Sequence, residues 1–198
     1  MPRPSNRAAR RRQILEALER VMARSGVGSA TVEAVAQEAE LAPGLVHHHF
    51  RNKEELFAEL ARDLQGRFRE ASQGRDLEGR LDAALALRGE AGMRTARAWV
   101  GLFAQALRSP ALLEQLRRGV RSELRRVERS LEEAGLDRGE AERGAAGLVA
   151  FVLGALVFGA LLPRTRVGFA APTARRLARA LLNQRAETPS ATTENGPR

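Results

Sequence analysis

Apolar positions recur at steps of three and four through nearly the whole chain, the period of helices that bury one face. Ile14, Leu15, Leu18, Val21 and Met22 predict a first helix, ended by Gly26 and Gly28, with Ser29 or Thr31 capping the next. Val32, Val35, Ala36 and Ala39 predict a short second helix that breaks at Glu40, Leu41 and Ala42. Pro43 suits the first turn of a third, whose buried ridge is Val46 and Phe50. Asn52 caps a fourth, with Leu56, Phe57, Leu60, Leu64 and Phe68 in period up to Gly74. A fifth covers about 77–88, and a sixth follows in MRTARAWVGLFAQALRS, with Met93, Trp99, Val100, Phe103 and Leu107 as its apolar stripe. Ser109 and Pro110 cap and open a seventh, in which Leu113, Leu116, Val120, Leu124, Val127 and Leu131 run to Gly135. Asp137 with Glu140 forms a capping-box pattern that starts an eighth, and a ninth begins near Pro172 and carries Leu177 and Leu181. Strand signals are few, so the expected class is all-α with about nine helices. From about Ala186 the tail TPSATTENGPR has neither apolar period nor bulk, and disorder is expected there.

Two short helices around the turn at 40–42 read as a helix-turn-helix. At 100° per residue, with Val46 and Phe50 turned to the core, Gly44 and His48 point away from it, and Leu45, His47 and His49 lie on the flanks. Such a helix presents its centre to base edges in a DNA major groove and its flanks to phosphates. Gly44 lets the backbone come close. Lys53, at the start of the fourth helix, is placed to reach a phosphate beside exposed helix amides.

At these residues the sequence resembles a known family. Thr31, Val32, Val35, Ala36, Ala39, Leu41, Gly44, Val46, His47, His49, Phe50, Lys53 and Leu56 are similar to the helix-turn-helix signature of TetR-family transcriptional regulators, over residues 7–56. Three positions depart from it. Glu40 stands where the family usually has a turn glycine, Ala42 where it has a capping Ser or Thr, and His47 where it has Tyr. A missing cap costs about 1 kcal/mol; a non-glycine residue held at positive φ costs about 1 to 2 kcal/mol. The resemblance implies three helices for DNA and six for ligand binding and dimerisation: a DNA-binding domain at 1–51, a ligand and dimer domain at 52–185, and the tail at 186–198. The run WVGLFAQALRSPALLEQL also resembles the C-terminal domain of the choline-responsive BetI branch, without its ligand being carried over. The implied function is a repressor binding a palindromic double-stranded DNA operator as a homodimer and released by an unidentified small-molecule effector. The expected DNA-binding residues are Thr31, Pro43, Gly44, Leu45, His47, His48, His49 and Lys53, with Arg10, Arg11 and Arg12 of the arm.

Composition changes this picture only in part. The net charge of +9 suggests a polyanionic partner, yet residues 1–55 hold nine basic and seven acidic residues, so most of the excess lies elsewhere. More informative is the arm MPRPSNRAARRR, with five arginines and no acid, which is either a solvated tail or a contact to the DNA backbone or minor groove. Of the 33 basic residues 32 are Arg, a bias better matched to codon usage than to 32 separate roles. The absence of Cys removes disulfide and thiolate chemistry and fits a cytoplasmic protein. No signal-peptide pattern is read at the N-terminus. No Ser-His-Asp spacing or phosphate-cradling glycine loop is present, so neither an enzyme nor a cofactor is expected.

Three further signals admit two readings each. The run AAGLVAFVLGALVFGALL at 145–162 is long enough to span a membrane, or is a helix buried in the subunit and against a second copy; the second is expected, with no membrane partner. Val157, Phe158, Leu177 and Leu181 are then the dimerisation candidates. Phe68, Met93, Trp99 and Phe103 either line an effector pocket or fill a core. His47, His48 and His49 are the only histidines; adjacent helical residues point 100° apart, so no metal site is expected. Near phosphates the protonated imidazole is favoured, so His47 and His49 are expected to strengthen DNA binding between about pH 8 and pH 6.

Overall fold

The computed structural model describes residues 6–86, 89–162 and 170–183. Among them the elements are α1 Asn6–Ser25, α2 Val32–Glu38, α3 Pro43–His49, α4 Lys53–Ser72, α5 Leu77–Ala84, α6 Gly89–Ala106, α7 Pro110–Glu133, α8 Arg138–Leu161 and α9 Ala170–Asn183. The tail 186–198 lies outside the described residues, as does the start of the arginine arm, 1–5.

Local chemistry sets most of the boundaries. Side-chain oxygens of Thr31, Asn52, Asp76, Ser109 and Asp137 accept from the amides of Ala34, Glu55, Gly79, Leu112 and Glu140, satisfying donors that the helix leaves open. At Asp137 the box is complete, since Glu140 Oε2 accepts the Asp137 amide at 3.3 Å. Thr31, not Ser29, is therefore the cap of α2, and Ser109 is that of α7. The sixth helix begins at Gly89, four residues before Met93, and the ninth at Ala170.

Two apolar cores organise the packing. The first joins Ile14, Leu18 and Val21 of α1 to Val35, Val46 and Phe50, to the first half of α4 (Leu56, Phe57, Leu60, Leu64), and to Leu102 of α6 and Leu112 of α7. The reading head is thus not a separate ball. Its core runs directly into the helices behind it, and Gly101 of α6 faces Met22 of α1, whose flexible Cε would lie 2.7 Å from a Cβ there. The second core gathers Leu81, Leu85, Val127, Leu131, Ala145 and Leu148 with the alanine stripe Ala170, Ala174 and Ala178 of α9. Ion pairs Arg175–Asp82 at 2.7 Å and Arg179–Glu78 at 2.7 Å clip α9 to α5.

Several sequence expectations are corrected here. Leu107 is 82% exposed, because α6 ends at Ala106 and the buried line is Ala98, Leu102 and Ala106. Leu181 faces α8 inside the subunit, with its Cδ1 3.3 Å from where a Cβ on Gly144 would sit, so the close helix packing uses it internally. Helix α8 is, among the described residues, the one helix long and apolar enough to cross a membrane, and it packs on α6, α7 and α9. Only 33% of its most apolar 18-residue window is buried in the single chain, less than a fully buried helix would show.

Candidate nucleic-acid interface and internal cavity

The turn between α2 and α3 closes as a Schellman motif. The amide of Leu41 bonds to Ala36 O at 2.9 Å and that of Glu40 to Gln37 O at 3.1 Å, which forces Glu40 into the left-handed region at φ 55°. Ala42 sits at the N-cap of α3 in extended backbone with no side-chain bond. Both departures noted in the sequence therefore cost stability where the turn is made. Replacing Glu40→Gly and Ala42→Ser together is expected to stabilise the fold by roughly 1 to 3 kcal/mol, read as a raised urea midpoint with unchanged slope. An unchanged or lowered midpoint would refute this account of the turn.

On α3, Pro43, Gly44, His47 and His48 are exposed and Leu45 is half-buried, so the centre of the helix is open to solvent as the 100° reading requires. Thr31 is exposed and its Oγ1 is spent capping α2 at 3.1 Å. Lys53 is half-buried, with Nζ 5.4 Å from the centroid of the Phe57 ring. Arg10 and Arg12 are exposed on α1, Arg10 bonding Gln13 at 2.8 Å.

His49 and Arg11 differ from the expectation. His49 is 8% exposed, because α1 covers that flank of α3, whereas the equivalent flank at His47 is open. Its Nδ1 is buried with no hydrogen-bond partner among the described residues. Burial lowers its pKa below the usual 6.5, and the positive neighbours His48, Arg11, Arg7 and Arg10 lower it further. His49 is thus a neutral core residue and not a phosphate contact. Arg11 turns inward as a strut: its Nη1 donates to His49 O at 2.5 Å, its Nη2 pairs with Glu59 at 3.3 Å, and its guanidinium lies 4.3 Å from the Phe50 ring centroid.

Behind the helix-turn-helix, α4, α5, α6, α7 and α8 line a half-open cavity of about 420 Å³. Phe68, Trp99 and Phe103 line it, the last two stacked with ring centroids 5.7 Å apart; Met93 is half-buried and lies outside the lining. The same wall carries Gln65, Thr95, Arg67, Arg80, Glu123 and Arg126. Sequence reasoning did not single out these polar groups, which sit between apolar steps of α4, α5, α6 and α7.

Also missed was Glu19, only 2% exposed. Its Oε2 accepts from Arg67 Nη2 at 2.6 Å and its Oε1 from Thr95 Oγ1 at 2.7 Å, so a buried carboxylate is fully paired across α1, α4 and α6. Its position was legible, since 15, 19 and 22 follow the buried three-and-four step of α1. Arg67 and Thr95 are shared between this junction and the cavity wall.

Among the described residues, a helical fold with an exposed short helix on a helix-turn-helix and a mostly apolar pocket behind it has the architecture of helix-turn-helix regulators. Comparison with known proteins gives the family. Residues 14–60 match bacterial regulatory proteins of the tetR family, and residues 73–187 match the C-terminal domain of BetI-type transcriptional repressors. The chain belongs to the TetR family, whose members are regulators and not enzymes. It is 46% identical over 56 residues to the HTH-type transcriptional repressor Rv1474c of Mycobacterium tuberculosis, covering 28% of this chain and 30% of that protein's length. A transcriptional regulator from Rhodococcus sp. Rha1 shares the fold with a TM-score of 0.76 at 28% identity, over 88% of this chain and 96% of that one. A regulator from Saccharomonospora viridis, solved in complex with choline, shares the fold alone, with a TM-score of 0.72 at 18% identity over 87% and 96% of the two chains.

Proposed function

We propose that this protein is a cytoplasmic transcriptional repressor that binds a palindromic DNA operator as a homodimer and is released by a small molecule held in the cavity. The observation that carries the reading is the α2–turn–α3 unit, with Pro43, Gly44, His47 and His48 open to solvent while Val46 and Phe50 anchor the helix in the core. Residues 1–51 read the DNA, and 52–185 bind ligand and dimerise. His48 contacts base edges in the groove, with His47, Lys53, Arg10 and Arg12 on phosphates.

Dimerisation is assigned to α8 and α9. Of the six large apolar residues most exposed among those described, five are Val157, Phe158, Leu161, Leu162 and Leu177. A second copy related by a two-fold axis would cover them and place two α3 helices one DNA turn apart. The choline held by the Saccharomonospora viridis regulator supports a small-molecule effector here as well. Arg67 and Thr95 give the effector a route to the DNA: any ligand that displaces them also disturbs Glu19 of α1.

Selection of binding sites from random duplex DNA with the purified protein tests the reading. The expected product is an inverted repeat with half-sites about 10 base pairs apart or a multiple of that, bound with a steep salt dependence. Retention of DNA without any enriched sequence would overturn it.

A further inference from the structure

We infer that the cavity is a site for an amphipathic anion, a carboxylate carried on an apolar body, held by the guanidinium wall of Arg80 and Arg126. The inference rests on the reading of this cavity as the effector site and adds the chemical class of the effector. The charges around the space are lopsided. Four guanidiniums, Arg67, Arg69, Arg80 and Arg126, line it against one carboxylate, Glu123. That carboxylate is already shared, since Arg80 Nη2 bonds its Oε1 and Arg126 Nη1 stands 3.6 Å from its Oε2. Arg67 is neutralised from outside the cavity by Glu19 at 2.6 Å and Asp63 at 3.0 Å, which leaves the Arg80–Glu123–Arg126 cluster with one positive charge in excess.

Arg80 adds the directional element. Its side chain is 13% exposed, and its Nε is buried with no hydrogen-bond partner among the described residues. A buried N–H is costly to leave without a partner, and an incoming carboxylate oxygen can both accept that proton and balance the excess charge. A neutral apolar molecule leaves the donor unmet. A quaternary ammonium meets a net positive wall and has to take Glu123 from two arginines, although Trp99 and Phe103 would suit its methyl groups. Apolar lining residues, Leu148, Val152 and Leu156 of α8 with Phe68 and Trp99, accept the apolar body. Its volume of about 420 Å³ falls in the range of small-molecule sites.

Trp99 is the only tryptophan in the chain and lines the cavity, so its fluorescence reports occupancy. Three probes of equal chain length are titrated into the full-length protein below their micelle-forming concentrations and at constant ionic strength: decanoate, decanol and decyltrimethylammonium. Decanoate is expected to bind saturably and at least about tenfold more tightly than either of the others, the difference of roughly one charge-assisted bond. Arg126→Gln should weaken decanoate several-fold, while Glu123→Gln, which removes the competing carboxylate, should tighten it. Opposite signs from two substitutions in one ion-pair cluster are not produced by loss of packing. Equal or tighter binding of the alcohol or the ammonium would overturn the anion assignment and leave the effector site standing. Weakening by both substitutions would also overturn it, by reducing the cluster to a structural brace. Saturable binding of none of the three would overturn both the assignment and the reading of the cavity as an effector site.

Discussion

Arginine in place of Val157 is expected to give a folded monomer that binds operator at least about 100-fold more weakly than the parent, because linking two half-site contacts contributes about 10² to 10⁴ in avidity. Val157 is 40% exposed in the single chain, so the new side chain can lie along the surface with its charge in water. In the proposed dimer the same charge would be enclosed by apolar residues of both copies without a partner. Leu156→Arg is the control for misfolding: Leu156 is 7% exposed and packs with Ala96 and Trp99, so a charge there should collapse the fold itself. Sedimentation, circular dichroism and a mobility-shift titration separate the cases. A Val157→Arg protein that remains dimeric at micromolar concentration, or a monomer that binds operator unchanged, would place the interface elsewhere.

What could be read from the sequence follows from how far each decision reaches along the chain. Helix starts at Thr31, Asn52, Ser109 and Asp137 are decided by a side chain and an amide three residues on, so a window of four residues contains the whole cause. The α2–α3 turn was legible for the same reason. Its two weak points, Glu40 and Ala42, are found in the backbone as a positive φ and an empty cap. Decisions made by distant packing were not legible. His47 and His49 are equivalent by angle on α3, and only the passage of α1 along one flank makes one a surface group and the other a buried one. Arg11 shows the same limit. Within its arm it resembles Arg10 and Arg12, and its role comes from a carbonyl 38 residues away. In α9 the sequence drew attention to Leu177 and Leu181, whereas the buried line is the smaller Ala170, Ala174 and Ala178, which lets the helix sit close against α8. The cavity was visible as three aromatic positions, but its charges were not. Their meaning depends on which arginines are neutralised by partners on other helices, as Arg67 is by Glu19.

The buried imidazole of His49 also revises the pH behaviour. The sign for His49 is set by its lowered pKa in the folded protein. Below the unfolded value of about 6.5 the unfolded chain takes up a proton that the folded helix-turn-helix resists, so stability is complete above that pH and is lost as pH falls from it toward the folded value. The loss is at most one proton's worth, about 1.4 kcal/mol per pH unit. Acid weakening from Glu38, held below its usual 4.5 by Arg20 and then Arg24, belongs to a lower window and does not overlap the start of this one. The protection factor of the Phe50 amide, which bonds Val46 O at 2.9 Å, reports the local opening that frees His49. It is expected to fall between pH 7 and pH 5 in the parent. In His49→Phe it should stay level across that range, with neutral-pH stability within about 1.5 kcal/mol, since the change keeps a ring of similar volume and removes the unpartnered Nδ1. Operator binding, taken at constant ionic strength, should then lose less on acidification in the His49→Phe protein than in the parent, where the third helix opens. A protection factor that falls equally in both proteins would assign the acid sensitivity to some other group.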